Sequence, residues 1–292
     1  MSDANADPVA RKHDVRRVLT WILVANVVVV AVKLVIGFST GSLAVLGDAM
    51  HSSVDSINNV LGLVVIAVAA RGPDEEHPYG HQKFETLGAL AIVGFLSVTG
   101  FELVKGAVHR LAIGTAPLSV SGMQIGILVG TLFVNLGVAS YESYKGQQLD
   151  SEILLADATH TKADVFVTIG VLAGVLLSRA GLPWADPVVA LGVAIVIMFL
   201  AWGILARCVP VLVDKQAIPA AEIMESAQSV EGVNSAYSIR SRGTRFQSFA
   251  ELTISVERHV SIEEAHKTAD AVEAQLRSRF GFYEISVHVE PC

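Results

Sequence analysis

Leu43-Ala-Val-Leu-Gly-Asp-Ala-Met-His51-Ser-Ser-Val-Asp55 opens an apolar stretch that runs on to Ala69, and Leu154-Leu-Ala-Asp-Ala-Thr-His160-Thr-Lys-Ala-Asp164 opens another. Each stretch is long enough to cross a bilayer, yet each carries an imidazole and a carboxylate four positions apart. A spacing of four returns to the same helix face, so the two groups of each pair sit side by side. An ionisable side chain at mid-membrane costs roughly 2.5–3.5 kcal/mol on insertion scales, so four of them need a reason. Two such faces meeting would offer two nitrogens and two oxygens, a tetrahedral cage for a divalent ion such as zinc. The competing explanation is a structural network of buried hydrogen bonds. Asn and Ser serve that purpose more cheaply, and Asn26, Asn58, Ser52 and Ser53 already lie nearby. Asp48 and Asp157 each precede a histidine by three residues. They read as groups that orient the imidazoles, as helix-packing acids or as further ligands.

The rest of the chain fits a membrane setting. Of 292 residues 52% are hydrophobic and only 17% charged, with a mean hydropathy of +0.54. A soluble domain carries about 25% charge. A net charge of −7 leaves no basic stripe to neutralise phosphates, which excludes nucleic acid as a partner. Two cysteines, Cys208 and Cys292, make neither a disulfide framework nor a four-thiolate metal site. Residues 1–17 are polar and lack the apolar core of a cleavable signal, so the first hydrophobic run is expected to be a retained span.

Six apolar segments reach the length of about 20 residues that a spanning helix needs. They cover residues 18–38, 43–69, 85–108, 119–141, 153–178 and 185–207. Arg11, Lys12, Arg16, Arg17, Arg71, Lys83, Lys145, Arg207 and Lys215 fall on one side, against mainly Arg110 and Arg179 on the other. The positive-inside rule therefore places both termini in the cytoplasm. Trp21, Trp184 and Trp202 are expected as anchors near span ends. In this orientation His51 and Asp55 lie roughly 12–18 Å below the outer end of their helix, and His160 and Asp164 roughly 13–20 Å below the same surface. The two pairs can share one ion.

After Pro210 the composition turns to that of a small soluble domain. Ala220–Ser229 and Ser261–Phe280 read as helices, the second capped by Ser261 with Glu264 three residues on. Ser235–Ser241, Phe246–Val256 and Glu284–Val289 read as strands, with Ala250, Leu252, Ile254 and Val256 on one face. The order αββαβ predicts helices packed on one side of a three-stranded sheet. The expected organisation is a polar segment over 1–17, a six-span bundle over 18–209 and a cytoplasmic α+β domain over 210–292.

Two further groups of ligand-type residues stand out. The loop Pro73-Asp-Glu-Glu-His77-Pro-Tyr-Gly-His81 brings Asp74, His77 and His81 into a compact cluster able to take a borderline metal, although an acidic loop with two histidines is more often solvated surface. Glu85, at the start of the next helix, suits its N-terminal dipole. In the tail, His288 and Glu290 share a strand face by the period of two, and His266 lies on the preceding helix. Lys33, inside the first span, is expected to snorkel or to pair with an acid.

The phrase from Gly41 to Asp55 resembles the second helix of the cation diffusion facilitators, the zinc-transporter family. Leu154–Asp164 resembles their fifth helix, and His77-Pro-Tyr-Gly-His81 their loop after the second helix. The resemblance runs over essentially the whole chain after the polar amino terminus. It implies a ferredoxin-like tail and a homodimer in the cell membrane that exports divalent metal in exchange for protons. His51, Asp55, His160 and Asp164 would form the transport site, and Asp74, His77 and His81 a loop site. Lys83 and Asp214 match positions that form a charge interlock between subunits in some relatives. Two histidines with two aspartates resemble the zinc-transporting members. One departure is plain: His266, His288 and Glu290 fall on tail positions that hold a binuclear zinc cluster in one bacterial branch, but Tyr237 and Thr253 occupy others. Neither is a good zinc ligand, so one tail ion or none is expected. No prosthetic group is implied; zinc is the substrate and a candidate regulatory ion.

Two rival readings belong to other classes. A membrane metallohydrolase would need an open metal position and a separate acid or base, and a matched four-ligand set leaves little room for them. A metal sensor with the spans as mere anchors would have no use for costly mid-membrane charges. The ligand types alone admit zinc, cadmium, cobalt and ferrous iron.

Overall fold

The computed structural model describes residues 8–40, 43–113, 121–182, 184–244 and 247–292; the side chains at 8–10, 40, 43–44, 47–48, 51 and 54 lie outside that description. The chain divides into two compact units, Lys12–Cys208 and Val209–Cys292 together with Met1–Arg11.

In the first unit, six long helices follow one another: α1 Pro8–Thr40, α2 Leu43–Ala69, α3 Lys83–Ile113, α4 Gly122–Gln148, α5 Glu152–Arg179 and α6 Ala185–Leu212. Five are long and apolar enough to cross a membrane; α2 has the length, with its apolar half at Asp55–Ala69. The helices overrun the apolar segments. Polar residues before position 18 continue into α1, α4 runs on to Gln148, and Trp202 falls inside α6 instead of at its edge. Large apolar side chains such as Val28, Phe101, Phe133 and Phe199 point outwards, as a lipid-facing surface requires. Leu19, Ile66, Ile92, Leu96, Ile153 and Ile197 fill the interior.

The site is positioned chiefly by the α4–α5 hairpin. On α4 the buried face is Ala139, Glu142 and Gly146, a three-and-four spacing turned towards α5. A Cβ on Gly146 would lie 2.9 Å from Leu155 Cδ2 and 3.2 Å from the Leu155 backbone nitrogen, so glycine is what lets the two helices approach this closely. Ser151 caps α5 and donates to Glu85 Oε1 at 2.5 Å, which ties the start of α3 to the same corner. Glu85, expected merely to favour its helix dipole, is thus a buried bridging group.

The second unit contains α7 Ala220–Gln228, β1 Ser235–Thr244, β2 Gln247–Val256, α8 Ile262–Phe280 and β3 Glu284–Pro291. The sheet order is β1-β2-β3, antiparallel between β1 and β2 and parallel between β2 and β3, so α8 is the crossover that a parallel pair requires. Ala250, Leu252, Ile254 and Val256 are buried together, as their alternation predicts. Ser261 and Glu264 form the expected capping box, and α8 stops at Gly281 in the left-handed conformation.

Candidate metal centre

Three acid and imidazole side chains converge inside the helix bundle. Asp55 comes from α2, and His160 and Asp164 from one face of α5. Asp55 Oδ1 lies 3.5 Å and Asp164 Oδ2 3.7 Å from His160 Nε2. One ligand-type atom from each residue lies within 4.8 Å of the others. Asn58 Nδ2, one turn along α2 from Asp55, approaches the same Nε2 at 3.1 Å. The Asn58 amide thus abuts the nitrogen that a metal ion would take. His160 Nδ1 has no hydrogen-bond partner among the described residues. His51 lies on α2 four residues before Asp55, and its side chain, like that of Asp48, is outside the described residues.

Below this cluster runs a polar chain that sequence reasoning largely missed. Asn26 of α1 donates to Asn59 at 2.6 Å, and Asn59 donates to Asp157 at 2.7 Å. Asp157 faces Glu142 of α4, which accepts from Thr161 at 3.2 Å. Asp157 therefore serves the network beside the cluster and is absent from the group of converging ligand atoms. The usable signal was the acid at position 142, which a span ending at residue 141 left outside the bilayer. Lys33 donates to Ser52 Oγ at 2.8 Å inside the bundle, so it is buried and does not snorkel.

The loop between α2 and α3 forms a second group, Asp74, His77 and His81. Asp74 Oδ1 accepts from the backbone N–H of His77 at 2.7 Å and of Glu76 at 3.1 Å. Gly80, at φ +82°, turns the chain so that the two imidazoles face each other, ring centroids 4.3 Å apart. His81 Nδ1 meets the Gly72 carbonyl at 3.1 Å, which leaves Nε2 turned to Asp74 Oδ2 at 3.3 Å. That is the arrangement of a metal-binding imidazole oriented by a backbone acceptor.

The backbone donor from His77 is the largest influence holding the Asp74 carboxyl below the usual carboxylate range. A lowered acid is charged above its ordinary value and loses its contribution only as pH falls through the lowered one. Between about pH 5 and 8 Asp74 therefore stays an anion. Asp74→Ala should weaken zinc binding at the loop by about tenfold or more. Calorimetric titration in an Asp164→Ala background would read this, and an unchanged affinity would remove Asp74 from the binding set.

The tail residues are only partly assembled. His288 Nε2 lies 3.5 Å from Glu290 Oε1, and both are exposed on the face opposite Ile285, Val287 and Val289. His266 instead faces Asp270 on its own helix at 3.8 Å. Tyr237 donates to Glu290 Oε2 at 2.5 Å, and Thr253 sits between Tyr237 and His288 in the sheet register. That hydrogen bond raises the Tyr237 phenol, which keeps it a neutral donor on the carboxylate and not a ligand. Asp214 meets Arg242 at 3.4 Å within the tail unit, while Lys83 opens α3 in the other.

Comparisons with known proteins find relatives along most of the chain. Residues 19–213 match a family model described as the cation efflux transmembrane domain, and residues 218–292 one described as the cation efflux protein cytoplasmic domain. An "Uncharacterized transporter MJ0449" of Methanocaldococcus jannaschii is 29% identical over 281 residues, 95% of this chain and 99% of that protein. The "Cation-efflux pump FieF" of Salmonella paratyphi A is 29% identical over 264 residues, 89% of this chain and 87% of that protein. A solved structure of "MamM-CTD 215-293" matches 25% of this chain and 92% of its own, at 26% identity and a TM-score of 0.24.

Proposed function

The chain belongs to the cation efflux, or cation diffusion facilitator, family of membrane transporters, and from that membership we propose that it exports zinc in exchange for protons. As a cation efflux transporter it moves divalent metal cations and is not an enzyme, which removes the hydrolase reading. The observation that carries the finer proposal is the approach of Asp55 and Asp164 to one nitrogen of His160 within the spans.

In this reading His51, Asp55, His160 and Asp164 bind the transported ion. Mixed nitrogen and carboxylate ligands suit zinc and its neighbours better than calcium or magnesium. The Nε2 lone pair of His160 can hold a proton or a metal ion, but not both. Loading the ion therefore releases protons, and protonation on the far side expels it. The protein works as a homodimer in the cell membrane with both termini in the cytoplasm. Asp74, His77 and His81 bind a further ion at the loop. Lys83 and Asp214 form the interlock between subunits. In the tail, His266, His288 and Glu290 are reduced to one ion or none, because Tyr237 engages the carboxylate.

Purified protein in liposomes loaded with a pH-sensitive dye tests this directly. Zinc added outside should drive proton movement in the opposite direction, with cadmium and cobalt as weaker alternatives. Zinc entry without proton movement would end the antiport reading. Vesicles silent to every ion would end the transport assignment of the cluster.

A further inference from the structure

Among the described residues α1 supplies no side chain to the converging cluster, yet two of its polar groups reach α2. Asn26 donates to Asn59 at 2.6 Å, and Lys33 donates to Ser52 Oγ at 2.8 Å. The partners are seven residues apart on each helix and run in opposite directions, so the two bonds are rungs about two turns apart on one antiparallel seam. Asp55 and Asn58, the α2 residues that approach His160, lie between these rungs.

The rungs differ in one respect. A neutral amide suffices at position 26. At position 33 the donor is a lysine that is only 3% exposed, and it is aimed at a neutral, buried hydroxyl. A hydroxyl accepts equally from a neutral amide, which costs far less to bury than an ammonium. An ionisable group kept inside a span therefore calls for a function beyond that bond. What lysine adds is a positive charge. Ser52 and Asp55 are three apart on α2, with Cβ atoms about 5–6 Å from each other, so the hydrogen bond holds the ammonium within about 10 Å of the Asp55 Cβ. At that separation and an effective dielectric of about 20, a unit charge repels a dication strongly enough to lower its affinity by about tenfold or more.

We propose that Lys33 sets the affinity of the transport site. As a fixed counter-charge it balances part of the carboxylate charge when the site is empty and opposes the dication when the site is full, which keeps binding reversible and lets the ion leave. Lys33 neither ligates the ion nor exchanges its own protons. This inference rests on the transport-site reading above.

Lys33→Met keeps the length of the side chain and removes its charge, whereas Lys33→Arg keeps the charge. Zinc binding is read by calorimetry on the full-length purified protein in an Asp74→Ala background, and zinc uptake in liposomes with a zinc-sensitive dye. Lys33→Met should bind zinc about tenfold tighter or more, with both KM and kcat for uptake lowered, and Lys33→Arg should stay close to its parent. A lysine that merely fastens α1 to α2 predicts the opposite sign, weaker binding in Lys33→Met. Equal or weaker binding in that variant, a lower KM without a fall in kcat, or the same tightening in Lys33→Arg overturns the proposal. Should Lys33→Met not elute as the parent assembly, Lys33→Gln, which retains a donor for Ser52, is judged by the same criteria. Parent zinc binding that is unmoved by Asp164→Ala would refute the transport-site reading instead.

Discussion

Asp164→Ala is expected to abolish zinc transport in proteoliposomes, and Asp55→Ala to do the same, while each variant still purifies as a folded assembly. The two carboxylates approach His160 Nε2 from different helices, α2 and α5. Removing either leaves an incomplete ligand set for a dication and a charge imbalance inside the bundle. Since disturbing a group behind a ligand already costs 10–100-fold in affinity, losing a ligand should cost at least about a hundredfold. The decisive measurement is initial-rate uptake with a zinc-sensitive dye, beside size-exclusion chromatography to confirm that the protein is intact. Wild-type rates in either variant would show that the ion crosses elsewhere.

Ile254→Ala should unfold the tail at markedly lower denaturant. Ile254 is 0% exposed on β2, the central strand, and packs against α7 and α8 residues such as Ile223 and Leu276. Truncating such a side chain costs about 2–5 kcal/mol. A small domain holds only about 5–15 kcal/mol in total. Urea unfolding of the fragment 210–292 should show a lower midpoint with an unchanged slope. Ile262→Ala is the control: Ile262 is 91% exposed, and a surface change should stay within about 0.5 kcal/mol. Equal shifts for the two would mean that the core lies elsewhere.

How much was legible beforehand depended on how local the signal was. The HxxxD spacing on α5, the alternation of Ala250, Leu252, Ile254 and Val256, and the Ser261–Glu264 capping box are all local patterns, and each maps onto the expected element. Helix ends were less legible, because hydropathy marks the lipid-exposed part of a helix and not its hydrogen-bonded length. Placing the fourth span at 119–141 left Glu142 outside it by one residue, whereas α4 continues to Gln148 through a buried, polar face. The role of Asn59 was invisible for another reason. It depends on Asp157, 98 positions away, and no periodicity reports such a contact. The tail departure, by contrast, was readable from residue type alone: a phenol at Tyr237 is a hydrogen-bond donor, and the structure uses it as one on Glu290.

The absence of a side chain at Gly146 has a bearing on how the bundle could rearrange. With Leu155 pressed against the α4 backbone and only three residues joining the two rods, α4 and α5 are locked together like the arms of a closed clasp. Sliding one past the other would drive Leu155 into the helix it rests on. The two neighbouring asparagines of α2, one against His160 and one on Asp157, hold that helix to the same rigid pair.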